Sequence, residues 1–250
     1  MVQEQPHAAL PKPLVICPGA YLWRSLLVRE EQSALIEEVI SRLAYAPFFQ
    51  PTMPRTGKPL SVQMTNFGAL GWVSDQAKGY RYQSCHPATG NNWPAIPHRL
   101  LRLWHRLTCY PAPPEACLVN LYRGGARMGL HQDRDEPAMA APVLSISLGD
   151  DAVFRIGDSA PKAPTRGLVL KSGDVLLFGG PARLCRHGID RIMQGSSDLV
   201  PGGGRINLTL RKVEPVEIEQ VENEMAKSET AGQFLDRPSL APVSAGTGRG

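Results

Sequence analysis

No stretch of this 250-residue chain stays apolar for the ~20 residues a bilayer-spanning helix needs, so no membrane span is expected. The N-terminus lacks the basic-then-apolar pattern of a secretory leader, and a cytoplasmic location is the expectation. Cysteine is sparse. Cys17, Cys85, Cys109, Cys117 and Cys185 are odd in number, scattered and never in a C-x-x-C pair. That argues against a disulfide framework and a zinc knuckle, and leaves free thiols, buried or reactive. A strong excess of one charge is also missing. The net charge of +4 suits a polyanionic partner without requiring one. What is present, 42% hydrophobic residues over this length, suffices for a sizeable core.

Along the chain, residues 1–13 carry three prolines and no periodicity and read as a flexible arm. Leu14–Cys17 reads as a strand ended by Pro18-Gly19. Between Arg29 and Ala44, Leu35, Ile36, Val39, Ile40 and Leu43 recur at helical spacing opposite four glutamates. A second amphipathic helix is expected over Pro97–Tyr110, with a basic outer face. Ser61–Asn66 reads as a strand. Trp72, Tyr80 and Tyr82 then gather beside Lys78 and Arg81, either as a base-stacking platform or as the cap of a small core.

From Ala116 the texture changes. Cys117–Tyr122, Leu144–Leu148, Val153–Ile156, Leu168–Leu170, Val175–Phe178 and Ile206–Leu210 are short β-rich runs separated by glycine turns. An early helical part followed by many short strands implies an α+β, mainly β chain ending in a jelly-roll double sheet. The pattern stops after Arg211, and residues 213–250 are expected to be disordered, with a transient helix over Glu217–Lys227.

Two constellations carry chemistry. In Met128–Glu136, His131 and Asp133 are two residues apart, so on a strand both point to one face, and Asp135 continues the alternation. With His187 they make two imidazoles and one carboxylate, the facial triad of non-haem Fe(II) oxygenases. An H-x-D match alone is weak, because about a quarter of such a match arises by chance in a chain of this composition. His131 capping a turn against Asp133 is an equal reading. The second constellation is Arg205–Arg211, where Arg205, Asn207, Thr209 and Arg211 share one strand face opposite Ile206, Leu208 and Leu210. Two guanidinium forks flanking Asn and Thr suit an anion with a carboxylate at each end. A small dicarboxylate is the cosubstrate an open-sided Fe(II) triad requires, so the two signals support each other.

The order Asn120-Leu121-Tyr122, His131-Gln132-Asp133-Arg134-Asp135-Glu136, Ser145–Gly149, His187 and Arg205–Arg211 resembles the AlkB family of Fe(II)- and 2-oxoglutarate-dependent nucleic-acid dealkylating dioxygenases. The likeness is to its bacterial DNA-repair members. It extends upstream through Met64–Gly68, Gly71-Trp72, Gly79–Tyr82 and Trp93–Ala95, covering about residues 14–212. It implies one catalytic domain with a double-stranded β-helix core over 116–212. Over 14–115 it implies supporting helices and an N-terminal nucleotide-recognition lid. It further implies that His131, Asp133 and His187 hold Fe(II), and that Asn120, Tyr122, Arg205, Asn207 and Arg211 bind 2-oxoglutarate. Trp72, Tyr80, Tyr82 and Asp135 would contact a flipped, damaged base. The implied activity is O2-dependent demethylation of 1-methyladenine and 3-methylcytosine in DNA, with RNA an open alternative, by a monomer. Pro161 stands where the resemblance places a basic substrate contact, with Lys162 beside it. Two rival readings stay open: a 2-oxoglutarate oxygenase acting on protein or a small molecule, and a non-enzymatic jelly-roll binding module.

Overall fold

Turn residues and two amphipathic runs cut the chain into the elements of the computed structural model, which describes residues 10–160 and 162–216. A hairpin of β1 (Leu14–Cys17) and β2 (Ala20–Trp23) comes first, then α1 (Arg29–Arg42) and β3 (Gln63–Gly68). A ribbon of β4 (Gly71–Asp75) and β5 (Gly79–Gln83) precedes α2 (His98–Thr108). Next come β6 (Ala116–Tyr122), β7 (Met128–His131), β8 (Val143–Gly149) and β9 (Asp151–Gly157). The series ends with β10 (Thr165–Leu170), β11 (Val175–Phe178), β12 (Arg186–Met193) and β13 (Arg205–Arg211).

The strands form two main antiparallel sheets. The larger has the order β1-β2-β11-β8-β13-β6-β3, the smaller β10-β9-β12-β7, and β4-β5 stands apart as a two-stranded ribbon. Strand alternation gives the larger sheet two different faces. Val119, Leu121, Ile146, Leu148, Leu208 and Leu210 join Leu35, Val39, Leu100 and Trp104 of the helices in one core. Leu118, Tyr122, Val143 and Phe178 join Phe154, Ile156 and Ile189 of the smaller sheet in the other. Burial of each large aliphatic side chain is worth about 1.5–3 kcal/mol, so the two cores hold the layers together. This is the expected jelly-roll double sheet, with both helices packed on its outer side. Ile40, which the spacing put on the buried face of α1, is exposed instead.

Strand β13 lies between β8 and β6, and all seven of its residues are buried. Because Ile206, Leu208 and Leu210 belong to the helix-side core, the polar residues between them project toward the smaller sheet. On that smaller sheet β7 pairs with β12 so that His131 is the cross-strand partner of His187. Gly188 permits this: a Cβ there would lie 2.6 Å from the Met128 carbonyl oxygen.

Several elements differ from the sequence reading. Strand β7 ends at His131, so Asp133 and Asp135 are not strand residues, and their direction is set by the loop that follows. The strand expected over Ser61–Asn66 runs from Gln63 to Gly68. Ala20–Trp23, Gly71–Asp75, Gly79–Gln83 and Arg186–Met193 are strands the sequence reading did not assign. One compact unit ends at Pro215. Within it Val213 is buried, and its N–H and that of Glu214 donate to Glu115 Oε2 at 2.9 and 2.8 Å. Residues 1–9 of the expected arm, Pro161, and residues 217–250 with the expected Glu217–Lys227 helix lie outside the described residues.

Candidate active site

The two imidazoles arrive as a cross-strand pair with ring centroids 4.5 Å apart. Each ring is held by the carbonyl two residues earlier in the chain. His131 Nδ1 lies 2.9 Å from Gly129 O, and His187 Nδ1 lies 3.0 Å from Cys185 O. A carbonyl only accepts, so each Nδ1 carries the hydrogen and each Nε2 presents a lone pair. Both lone pairs face Asp133: His131 Nε2 is 3.5 Å from Oδ1 and His187 Nε2 is 3.7 Å from Oδ2. One donor atom from each of the three residues lies within 4.8 Å of the others.

Electrostatics favour a ligating set. Burial alone would raise the Asp133 carboxyl, but Arg211, His187 and His131 outweigh it and hold the group well below the usual carboxylate range. Arg211 Nη2 donates to Asp133 Oδ1 at 2.9 Å, while the buried Oδ2 has no hydrogen-bond partner in the protein. Burial brings His187 down to about 4, with His131 and Arg211 adding to the shift against the opposing pull of Asp133. His131 also feels burial, but the negative charge of Asp133 beside it raises it on balance. An ionised carboxylate, a neutral imidazole and an unpartnered buried oxygen fit a divalent cation.

The polar face of β13 forms the floor beside these ligands. Arg205 is 1% exposed. Its Nη2 donates to Ser147 Oγ at 2.9 Å, and its guanidinium lies over the Tyr122 ring at 5.5 Å. Arg205 Nε and Nη1 and Asn120 Oδ1 are buried without partners. A buried cation without an anion is costly, and burial lowers the Arg205 pKa accordingly. Unpartnered donors on a buried guanidinium suit a charge-assisted bond to an anion, so this end fits one carboxylate of a dicarboxylate.

The other end differs from the expectation of a second open fork. Arg211 donates to Glu136 Oε1 at 2.5 Å as well as to Asp133, leaving only Nε unpartnered. Asn207 is also engaged by the protein. Its Nδ2 donates to Ser145 Oγ and Ile146 O, and its Oδ1 accepts from Thr209 Oγ1 at 2.9 Å.

The expected substrate residues divide. Trp72 and Asp135 line the cavity that also holds His131, Asp133, His187 and the polar face of β13. Trp72 Nε1 donates to Asp135 Oδ2 at 2.8 Å, and the indole stacks on Tyr80 at 5.5 Å between centroids. Tyr80 stands outside the cavity and is 53% exposed. Tyr82 turns inward and donates its hydroxyl to Glu136 Oε1. Lys162 is exposed, has a left-handed φ of 66° and is not among the cavity-lining residues.

Sequence reasoning missed Glu136 and Arg183. Glu136 is fully buried and accepts from Tyr82, Arg211 and Arg183, the last at 2.8 Å. Arg183 also donates to Asp133 O at 2.7 Å and so fixes the loop that carries the carboxylate ligand. Glu136 ended the motif that was read and gave a signal that went unused. Arg183, in a proline–glycine turn, gave none.

Comparison with known proteins is consistent with this geometry. Residues 19–211 match the model of the 2OG-Fe(II) oxygenase superfamily. The chain is 59% identical over 203 residues to a Caulobacter vibrioides protein named alpha-ketoglutarate-dependent dioxygenase AlkB homolog, covering 80% of this chain and 90% of that one. It is 40% identical over 201 residues to the alpha-ketoglutarate-dependent dioxygenase AlkB of Escherichia coli, covering 79% and 91%. Among solved structures, OsALKBH1 aligns with a TM-score of 0.71 at 30% identity, covering 80% of this chain and 99% of that one.

Proposed function

The chain belongs to the 2OG-Fe(II) oxygenase superfamily and within it to the AlkB family, and from that premise we propose that it oxidatively removes N-methyl groups from bases of alkylated nucleic acid. The observation that carries the reading is a single cavity joining three kinds of group. It brings together the His131–Asp133–His187 set, the unpaired fork of buried Arg205 and an indole–carboxylate pair at the rim.

His131, Asp133 and His187 would hold Fe(II). Arg205, with Asn120 and Tyr122 beside it, would take one carboxylate of 2-oxoglutarate, and Arg211 Nε is the donor left near the other end. Bound together, iron and 2-oxoglutarate supply O2 activation, in which the cosubstrate becomes succinate and CO2 and the methyl carbon is oxidised. The protein contributes positioning and dryness. Leu118, Phe154, Leu170, Phe178 and Ile189 wall the cavity and keep water from the reacting carbon. Asp133 stays ionised and burial keeps His187 neutral, so at neutral pH only His131, which Asp133 raises, would have a proton to give up to a metal.

At the rim, Trp72 presents a ring for a flipped base to stack on. Asp135 accepts from Trp72 through Oδ2 and has a second oxygen for an exocyclic amine. A methyl group on a Watson–Crick edge breaks pairing and lowers the cost of flipping, which favours 1-methyladenine and 3-methylcytosine. Their oxidised methyl leaves as formaldehyde and restores the base. DNA is the proposed polymer and a cytoplasmic monomer the proposed form. Among the described residues no helix is long and apolar enough to cross a membrane.

The test is formaldehyde release from oligonucleotides bearing 1-methyladenine or 3-methylcytosine, with and without 2-oxoglutarate. Release that needs both Fe(II) and 2-oxoglutarate is expected. Succinate formation with a protein or metabolite substrate and none with these oligonucleotides would overturn the substrate assignment.

A further inference from the structure

We propose that Arg183 is a positioning residue of the metal site. It clasps the loop after β7 to the turn before β12, so that Asp133 and His187 are held at ligating separation before a metal ion binds. The inference rests on the metal assignment made above, and adds to it a residue outside those assigned to metal, cosubstrate or base. Strand β7 ends at His131 and β8 begins at Val143, so Asp133 has no strand pairing to fix it. The chain passes from β11 to β12 through Gly179 and a short 3-10 turn, Gly180–Ala182, which ends on Arg183. This turn lies close against the end of the loop: a Cβ at Gly179 would lie 2.9 Å from the Pro142 side chain. Three consecutive residues then reach the ligand segments. Arg183 Nη1 donates to Asp133 O at 2.7 Å, Leu184 O accepts from Gln132 Nε2 at 2.5 Å, and Cys185 O accepts from His187 Nδ1 at 3.0 Å. One turn therefore fixes the backbone of the carboxylate ligand and the ring of the second imidazole.

A guanidinium suits this task because it is planar and its donors diverge at fixed angles. Arg183 is buried, and its three nitrogens serve three acceptors. Nε donates to Ala141 O at 3.0 Å, Nη1 to Asp133 O, and Nη2 to Glu136 Oε2 at 2.8 Å. Asp133 and Ala141 stand near the two ends of the loop, so the fork spans it. Glu136 between them supplies the counter-charge that a buried cation needs. A lysine could pair with Glu136 from one point but could not hold both carbonyls across the loop. Ligands fixed in advance lose less freedom when they bind, so the clasp should register in metal affinity.

The experiment titrates the metal-stripped, full-length chain with Mn(II) by calorimetry and records the melting temperature of the same samples. Asp133→Ala should bind no Mn(II) at the site. Arg183→Lys should raise the Mn(II) Kd about 10–100-fold, the loss expected when an outer partner of a ligand is removed. A residue that only packs would lower the melting temperature and leave that Kd at the parental value, and this result overturns the proposal. If Asp133→Ala also binds as the parent does, the metal assignment falls with it, so the two failures are told apart. The parent chain supplies a second readout that needs no variant. In side-chain NMR the Arg183 Nε–H should be protected from solvent exchange in the metal-stripped chain and stay so when Zn(II), a diamagnetic probe, is added. A signal that is missing until Zn(II) arrives overturns the proposal too.

Discussion

The floor of the cavity and its rim are built on opposite principles. The floor is β13, a central strand with neighbours on both sides and every residue buried. Its polar and charged groups are held by Ser147, Ser145, Glu136 and Asp133. The rim is a two-stranded ribbon, an arrangement of marginal stability by itself. It is tied to the motif loop by Trp72 Nε1 on Asp135 and Tyr82 on Glu136, and to β3 by Asn66 on the Trp72 backbone. A site that must fix a metal and an anion needs the first kind of construction. One that must admit a base needs the second.

Substitutions should separate the two. The largest effect is expected at the metal end. His131→Ala should reduce succinate formation by more than the ~10–100-fold that loss of an outer partner costs. The melting temperature should hardly move, because the side chain is 39% exposed. Parental turnover in this variant would refute the assignment. Below the floor, Glu136→Ala leaves Arg183 and Arg211 without their shared carboxylate and should cost ~3–5 kcal/mol of stability, read by urea denaturation. On the floor itself, Arg205→Lys replaces a fork by a point charge. The KM for 2-oxoglutarate should rise about 10–100-fold, with turnover recovering at saturation.

At the rim, Trp72→Ala should weaken binding of a methylated oligonucleotide by ~1–3 kcal/mol while KM for 2-oxoglutarate stays put. Equal affinity for parent and variant would make Trp72 a packing residue only. The smallest effect concerns the ribbon turn. The Lys78 backbone N–H and then Arg81 hold Asp75 below its ordinary 3.8. A depressed folded value means that its contribution is present above 3.8 and is lost as pH falls through the lower folded value. Amide NMR signals of Tyr80 and Tyr82 should therefore titrate below 3.8 in the parent and stop doing so in Asp75→Asn, while those of β13 do not respond.

Much of the floor was legible in the sequence because it obeys a strict period. Arg205–Arg211 alternates without a break, and the buried strand keeps that alternation residue by residue. The ligand set was legible as a motif but for an inexact reason. His131 and Asp133 converge because the chain leaves β7 at His131 and Arg183 holds the next turn. β12 escaped notice because its register shifts between Ile189 and Arg191, which spoils any period of two. The ribbon escaped because Gly71, Gly79 and its polar residues read as turn. Asn207 and Arg211 were correctly placed on the inner face, yet hydrogen bonds from other elements decide how much of each remains for a ligand. Nothing in their own segment records that.

Glu136 has a consequence for anyone who would exchange the rim between relatives. Its three partners come from β5, from the turn after β11 and from β13, so the ribbon is not an independent module. A transplanted ribbon lacking a hydroxyl at position 82 would leave the junction one donor short beside two guanidinium groups. Trp72 and Tyr80, the proposed recognition surface, can be varied, whereas Tyr82 has to travel with the chassis.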